Sequence, residues 1–421
     1  MSTPAVLLIA MTTGYQIRSF GEAAAGLGVD LLFATDRCDS LEDPWRDRAF
    51  AVHFHEPASS AHALVEVLDV RPSAIVAVGD RPALLAAYLN AELRLPGHSP
   101  EAALRSRNKL VARETFRQAG LRVPAFERLP LDADPRQIAS NLTYPVVVKP
   151  LALSGSRGVM RADNPEAFEA AFMRLHRLLS QTDVRIERDG AHDHVLVESF
   201  IPGREYAVEG VLTHGAFTPF AIFDKPDPLD GPFFEETIYV TPSRAPALVQ
   251  SAVISTVAAA AAALGLSHGP VHAECRVNER GVTVLEVAGR PIGGLCSRAL
   301  RFIDRGQAMS LEEVLLRHAL GETVSGARRE PCASGVMMIP IPARGVFRRV
   351  DGVDAARGVP GIQDIVVTAK PDSVLVPLPE GRSYLGFIFA KDPEPARVEG
   401  ALREAHARLR FTIDRELPVL S

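Results

Sequence analysis

The 421-residue chain is poor in cysteine: it has four, Cys38, Cys275, Cys296 and Cys332, widely scattered. With no C-x-x-C spacing among them, neither a disulfide framework nor a structural zinc site is expected. No block of lysine and arginine stands out, and the net charge is −5, which argues against a broad footprint for nucleic acid. Long hydrophobic runs are missing too. The longest, Val257 to Leu266, is mostly alanine and falls well below the roughly 20 residues that span a bilayer, so no membrane partner is expected. Met1 to Ala10 is apolar but lacks the basic start and cleavage site of a signal peptide, and reads as a strand. The phosphate loop G-x-x-x-x-G-K-[ST], the dinucleotide fingerprint G-x-G-x-x-G and the nucleophile elbow G-x-S-x-G are all absent. A Rossmann oxidoreductase and a serine-nucleophile enzyme lose their support. What is left is a cytoplasmic chain, 47% hydrophobic and 23% charged, long enough for two to four domains at about 150 residues each.

The first hundred residues alternate between short apolar strands and helical stretches. Val6–Ala10, Asp30–Ala34 and Ala74–Val78 read as strands; Ser19–Gly28, Ala61–Asp69 and Pro82–Glu92 read as helices. That alternation predicts a parallel sheet covered on both faces. A single helix is expected over Ser106–Val123, ending at Pro124. Pro145-Val-Val-Val-Lys-Pro150 is a short strand, Pro165–Leu179 a helix, and His194–Glu198 and Glu205–Leu212 are strands. Pro246–Leu264 is a long alanine-rich helix. Val271–Val277 and Val282–Val287 form a hairpin around Asn278-Glu-Arg-Gly281, and Pro395–Arg410 is a final helix.

Four features stand in an informative order. Lys109 and Lys149 are separated by 40 positions, and Lys149 ends a short strand at Pro150, where it reads either as a snorkelling edge lysine or as a cation for nucleotide phosphates. Directly after it comes Ser154-Gly-Ser-Arg-Gly158, whose small residues allow backbone N–H groups to approach phosphate oxygens; as a bare sequence it is also an ordinary turn. Third, Val195-Leu-Val-Glu-Ser-Phe-Ile-Pro-Gly-Arg-Glu205 supplies two carboxylates and an apolar pair, which match an adenine slot and a ribose. Fourth, alternation puts His272 and Glu274 on one face of a strand, and the hairpin brings Glu286 beside Glu274. Paired hard carboxylates near phosphates suit Mg²⁺. Arg290 follows in Glu286-Val-Ala-Gly-Arg-Pro-Ile-Gly-Gly294.

This order, Lys109, Lys149, glycine loop, Glu198, Glu205, Glu274, Glu286, Arg290, resembles the ATP-grasp superfamily over roughly residues 100–295. Within it, Val-Glu-Ser-Phe-Ile-Pro-Gly-Arg-Glu-Tyr and Leu-Glu-Val-Ala-Gly-Arg-Pro-Ile-Gly-Gly resemble the L-amino acid ligase branch, which includes dipeptide synthases and carnosine synthase. The tail from Pro331 is similar to the C-terminal lobe of those enzymes. The resemblance implies a combined α/β and α+β fold: an α/β pre-grasp domain over 1–105, a small lid lobe over 106–200, and a large lobe over 201–421 with a C-terminal subdomain from about 331.

It further implies ATP with Mg²⁺, or Mn²⁺ in its place. Lys109 and Lys149 would meet the phosphates, with Ser154, Gly155, Ser156 and Gly158 in a mobile lid above them. Glu198, Phe200 and Ile201 would hold adenine, and Glu205 the ribose. Glu274 and Glu286 would bind metal, and Arg290 would stabilise an acyl phosphate while His272 orients a substrate carboxylate. Two departures stand out. Ala288 occupies the position of a metal-binding asparagine, leaving open how many Mg²⁺ ions bind, and Asn108 replaces the usual aspartate before the first lysine. The expected activity is ligation of a small carboxylate, amino acid-like, to an amine, with a homodimer as one open option for its assembly. The alternatives are an ATP-grasp ligase acting on a purine-pathway or biotin-carboxylase-like substrate, or a nucleotide-binding module without turnover.

Overall fold

The computed structural model describes residues 3–12, 14–36 and 49–415. Cys38 falls outside them; Cys275, Cys296 and Cys332 are free thiols. The first unit is built on the strand Ala5–Ala10, whose six residues are all buried. A strand covered on both faces has no polar side to show, hence its unbroken apolar run. It is the inner member of a parallel sheet in the order Ala49–Ala51, Asp30–Thr35, Ala5–Ala10, Ala74–Val78. The chain order reverses between the last two strands, and in open parallel sheets ligands bind beyond the carboxyl ends at that switch point. Met11, Gly14, Tyr15 and Gln16 lie there with Val78, Gly79 and Asp80. Gly79, at φ +103°, turns the chain directly from strand into the helix Asp80–Leu93, so that Asp80 sits at the sheet edge.

The helix expected over Ser106–Val123 is in fact two, Pro100–Arg107 and Lys109–Gln118. Asn108 breaks it by adopting an extended backbone, and its side chain accepts from the N–H groups of Leu110 and Val111 at 3.1 and 3.2 Å. A capped start satisfies donors that a continuous helix would have used internally, which explains why the break costs little. Lys109 thereby becomes the first residue of a helix. Ala112 and Phe116 on that helix pack into the core of the large sheet.

A four-stranded antiparallel sheet follows, ordered Phe126–Pro130, His194–Ser199, Val146–Pro150, Met160–Ala162. The helix Pro165–Leu179 covers it with Phe168, Ala171, Phe172, Leu175, Leu178 and Leu179, a stripe at helical spacing. Each of its large side chains contributes about 1.5–3 kcal/mol of burial.

The eight-stranded antiparallel sheet is the backbone of the rest, from Gly281–Ala288 at one edge through Gly269–Asn278, Arg204–Thr213, Ala216–Asp224 and Ile238–Thr241. It continues without interruption into Ala333–Ile339, Gly386–Asp392 and Ile362–Val367, so the C-terminal tail extends the same sheet. The helix Ala247–Leu264 has 18 residues and a mean hydropathy of 1.8, long and apolar enough to cross a membrane by composition. Val253, Val257, Ala260, Ala261 and Leu264 instead form one buried stripe of it, packed on the large sheet.

Candidate active site

A cavity of about 420 Å³ opens where the first sheet's carboxyl edge, the small sheet and the large sheet converge, and the C-terminal tail closes its far side. Every residue that the resemblance assigns a role in the site lines it except Gly158. Gly158 is packed away from the cavity: it has φ +77°, and a Cβ there would lie 2.9 Å from Leu175. Its N–H donates to Pro379 O at 2.8 Å. The loop's remaining members, Ser154, Gly155 and Ser156, do face the cavity, Gly155 with nothing within 4 Å of its missing Cβ. Arg157 is turned inward, donating to Glu380 O at 2.9 Å and to Asp183 at 2.8 Å. The loop expected to be free is thus tied down at two of its residues.

Glu198 was expected to face a nucleotide base. Its carboxylate is 3% exposed and gripped by two cations, Lys149 at 2.5 Å and Arg113 at 2.7 Å. Burial alone would raise the Glu198 pKa, but Arg113 and Lys149 more than offset that and hold it below its ordinary value. Lys149 is lowered to about 8, chiefly by burial, with Glu198 resisting. Arg113 is completely buried, and its third contact is Val284 O at 3.1 Å. Nothing in the sequence analysis marks Arg113: it lies 85 residues from Glu198, on a stretch read only as a helix. Beside this triad, Phe200 stacks with Phe234 at 6.5 Å, and the guanidiniums of Arg161 and Arg276 lie 4.3 and 5.2 Å from the Phe200 ring. This leaves a flat, partly apolar slot lined also by Ile201.

On the hairpin, Glu274 and Glu286 are direct cross-strand partners. Each carboxylate has its own cation: Lys225 donates to Glu274 at 2.8 Å, and Lys109 lies 3.5 Å from Glu286. Lys109 also donates to Leu153 O at 2.8 Å, joining the first lysine to the loop. A further carboxylate group was not foreseen. Glu205, Glu236 and Glu274 place oxygens within 4.8 Å of one another, around the Lys225 ammonium, which donates to all three at 2.6–2.8 Å. Burial opposes the charge on Lys225, yet the three carboxylates raise its pKa well above the usual value. Glu236 is pushed to about 7 by burial and by repulsion from Glu274. Arg276 adds a second cation to Glu205 at 2.9 Å. Glu205 and Glu274 were singled out from the sequence; Lys225 and Glu236, which complete the cluster, lie in the charged loop from Asp224 to Glu236.

His272 lies between Glu209 at 3.0 Å and Glu274 at 3.6 Å. Burial favours the neutral ring, but these carboxylates win and raise it to about 9, so at neutral pH it is a cation facing the cavity. Glu209 is fully buried and also accepts from Ile292 N–H at 3.1 Å, fixing the turn after Arg290. Arg290 reaches across to the first unit, where its Nε donates to Asp80 at 2.6 Å, a contact spanning 210 positions. Taken together, cations and carboxylates alternate around a largely buried cavity, an environment in which fixed charges act strongly on a polar ligand.

Residues 142–299 match the model of the ATP-grasp domain, and residues 337–414 match L-amino acid ligase C-terminal domain 2. The chain carries an ATP-grasp domain, in an ATP-grasp fold. Among solved structures, an L-amino acid ligase from Bacillus licheniformis superposes with a TM-score of 0.82 at 23% identity, covering 99% of this chain and 100% of that one. Among curated proteins, alanine–anticapsin ligase of Bacillus subtilis is 27% identical over 78% of this chain and 74% of its own length. An uncharacterized protein of Sinorhizobium fredii is 26% identical over 76% of this chain, and the match spans 64% of that protein's length. Seen as an ATP-grasp fold, the cavity lies between the two sheets that form the grasp, with the first unit's switch point at its far end.

Proposed function

We propose that this protein is an ATP-dependent ligase that joins two small, amino acid-like substrates through an acyl phosphate, releasing ADP and phosphate. The observation that carries the reading is one cavity holding Lys109, Lys149 and the small-residue loop opposite the Glu274–Glu286 pair, with Arg290 and His272 beyond. The relatives named as amino acid ligases support it.

In this reading Lys109, Lys149, Ser154, Gly155 and Ser156 receive the phosphates. The base enters the slot at Phe200 and Ile201; an ionised carboxylate has about four acceptor sites, so Glu198 retains capacity for an exocyclic amine. Glu205 retains the same toward ribose. Glu274 and Glu286 offer hard oxygen donors directly across the hairpin, a set that fits Mg²⁺ or Mn²⁺. The metal would supply positive charge to the phosphates. His272 and Arg290 place two cations where a substrate carboxylate must sit to reach the terminal phosphorus. A carboxylate oxygen attacks that phosphorus, the bond to ADP breaks, and the acyl phosphate is held by Arg290. The amine then adds to the acyl carbon, loses a proton, and phosphate departs. Fixed charges and positioning carry such a reaction without a covalent enzyme nucleophile. A cytoplasmic enzyme is the setting that fits.

A pairwise screen of amino acids, with bicarbonate included, for ATP-dependent release of ADP and phosphate tests the reading. Release dependent on two amino acids is expected. Release driven by bicarbonate alone, or AMP as the product, would overturn it.

A further inference from the structure

Five lysine and arginine side chains line the cavity. Four have a carboxylate: Lys109 has Glu286, Lys149 has Glu198, Arg276 has Glu205 and Arg290 has Asp80. The fifth, Arg382, has no hydrogen-bond or ion-pair partner among the described residues. It comes from the C-terminal tail, which the nucleotide-binding reading does not use.

Its loop is not loose. Pro379 O accepts from Gly158 N–H, and Glu380 O accepts from Arg157. The Glu380 side chain takes both Arg174 Nε and, at 2.8 Å, Arg174 Nη2, from the helix behind the small sheet. Gly381 closes a tight turn onto Pro377 O at 2.8 Å, where an added Cβ would collide with Val376 O. Two residues beyond Arg382, Tyr384 joins an aromatic wall with Phe387 and Tyr15, at 6.1 and 5.5 Å between successive rings. The backbone at Arg382 is therefore held between the phosphate loop and the aromatic wall, and Arg382 itself is exposed where it lines the cavity.

An exposed guanidinium that no carboxylate among the described residues pairs, at the rim of an otherwise charge-matched cavity, is free to take an oxyanion from the ligand, and carboxylate and phosphate both fit its fork. The phosphates have Lys109, Lys149 and the loop, and the carboxylate being activated has Arg290 and His272. The remaining candidate is a second carboxylate. We propose that Arg382 binds the carboxylate of the amine substrate and thereby selects an acceptor with a free carboxylate over its carboxamide.

This rests on the ligase reading, and the test separates the two. For an amino acid pair found active, kcat and KM are measured for ATP, for the amine substrate, and for that substrate as its carboxamide, in wild type, Arg382→Lys and Arg382→Ala. A charge-assisted hydrogen bond corresponds to roughly ten- to a hundredfold in affinity. Wild type should therefore prefer the free acid by at least about tenfold in kcat/KM. Arg382→Ala should raise the KM of the acid until acid and carboxamide converge, with the KM of ATP within about twofold and melting temperature unchanged; Arg382→Lys should restore part of the preference. Equal losses for acid and carboxamide, or a raised KM for ATP alone, would overturn the proposal while leaving the ligase intact. No active pair in wild type would instead remove the ligase reading, and the proposal with it.

Discussion

Histidine is used in opposite ways in two parts of this molecule. In the central cavity His272 is flanked by Glu209 and Glu274 and raised to about 9, a charge kept ready for a ligand. At the seam between the first unit and the large sheet, His98, His268 and His318 line a pocket of about 50 Å³ with no carboxylate among its lining. There burial, with neighbouring imidazoles adding to it, lowers His98 and His318 to about 4. His98 accepts from Ser267 N–H at 3.2 Å and faces Pro270 O at 3.4 Å, while His268 stacks on His318 at 4.5 Å. The cavity holds its polar groups as charges set against one another; at the seam the rings are packed and neutral. Substitution in the first should cost rate, and in the second stability.

The largest expected effect is on rate. Glu286→Gln should lower kcat by about a hundredfold or more, as when one group that stabilises developing charge is lost. Its melting temperature should stay close to wild type, since the side chain keeps its size and has only a 3.5 Å contact with Lys109 to lose. Near-normal turnover at saturating Mg²⁺ would show that the pair is structural.

Arg113 tests where the two classes meet. Arg113→Leu leaves Glu198 buried with Lys149 as its only cation and should destabilise on the order of 3 kcal/mol, read from denaturant unfolding. A stability within 1 kcal/mol of wild type (a small part of the ordinary effect of breaking a buried pair) would mean that Lys149 alone balances the carboxylate. At the seam, a Cβ on Gly289 would lie 2.8 Å from His98 Cδ2 and 3.2 Å from Leu266. Gly289→Ala should therefore cost about 1–3 kcal/mol with kcat preserved in the folded enzyme. Loss of kcat without loss of stability would contradict the division.

The smallest effect is in pH dependence. With native values near 4 and an unfolded value near 6.5, the unfolded chain binds more protons than the native one within that window. Stability therefore falls as pH is lowered from 6.5 toward 4. His318→Gln, which can still meet the Thr213 hydroxyl, should make the fall in melting temperature between pH 7 and pH 5 shallower. An unchanged slope would show that His318 is already protonated in the native state.

Much of the frame was readable because it rests on local pattern. The strands of the first unit and the hairpin at residues 271–287 follow from apolar runs and from Asn278 and Gly281. The order of lysines and carboxylates around the cavity could be read the same way. What could not be read were contacts between distant segments. Glu198 looked free because Arg113 is 85 positions away, and Arg290 looked free because Asp80 is 210 away. Lys225 sits in a loop where it meets Glu205 and Glu274 from two strands and Glu236 from further along the same loop. Asn108 could have been read more closely: a capping residue beside a lysine marks a helix start as readily as a helix interior.

The central claim is that a substrate carboxylate is phosphorylated, and isotope transfer tests it most directly. With the carboxylate substrate labelled with ¹⁸O, each turnover should move one ¹⁸O into the released phosphate, with ADP formed in equal amount. Label appearing in AMP, or phosphate released without label during amide formation, would contradict the account.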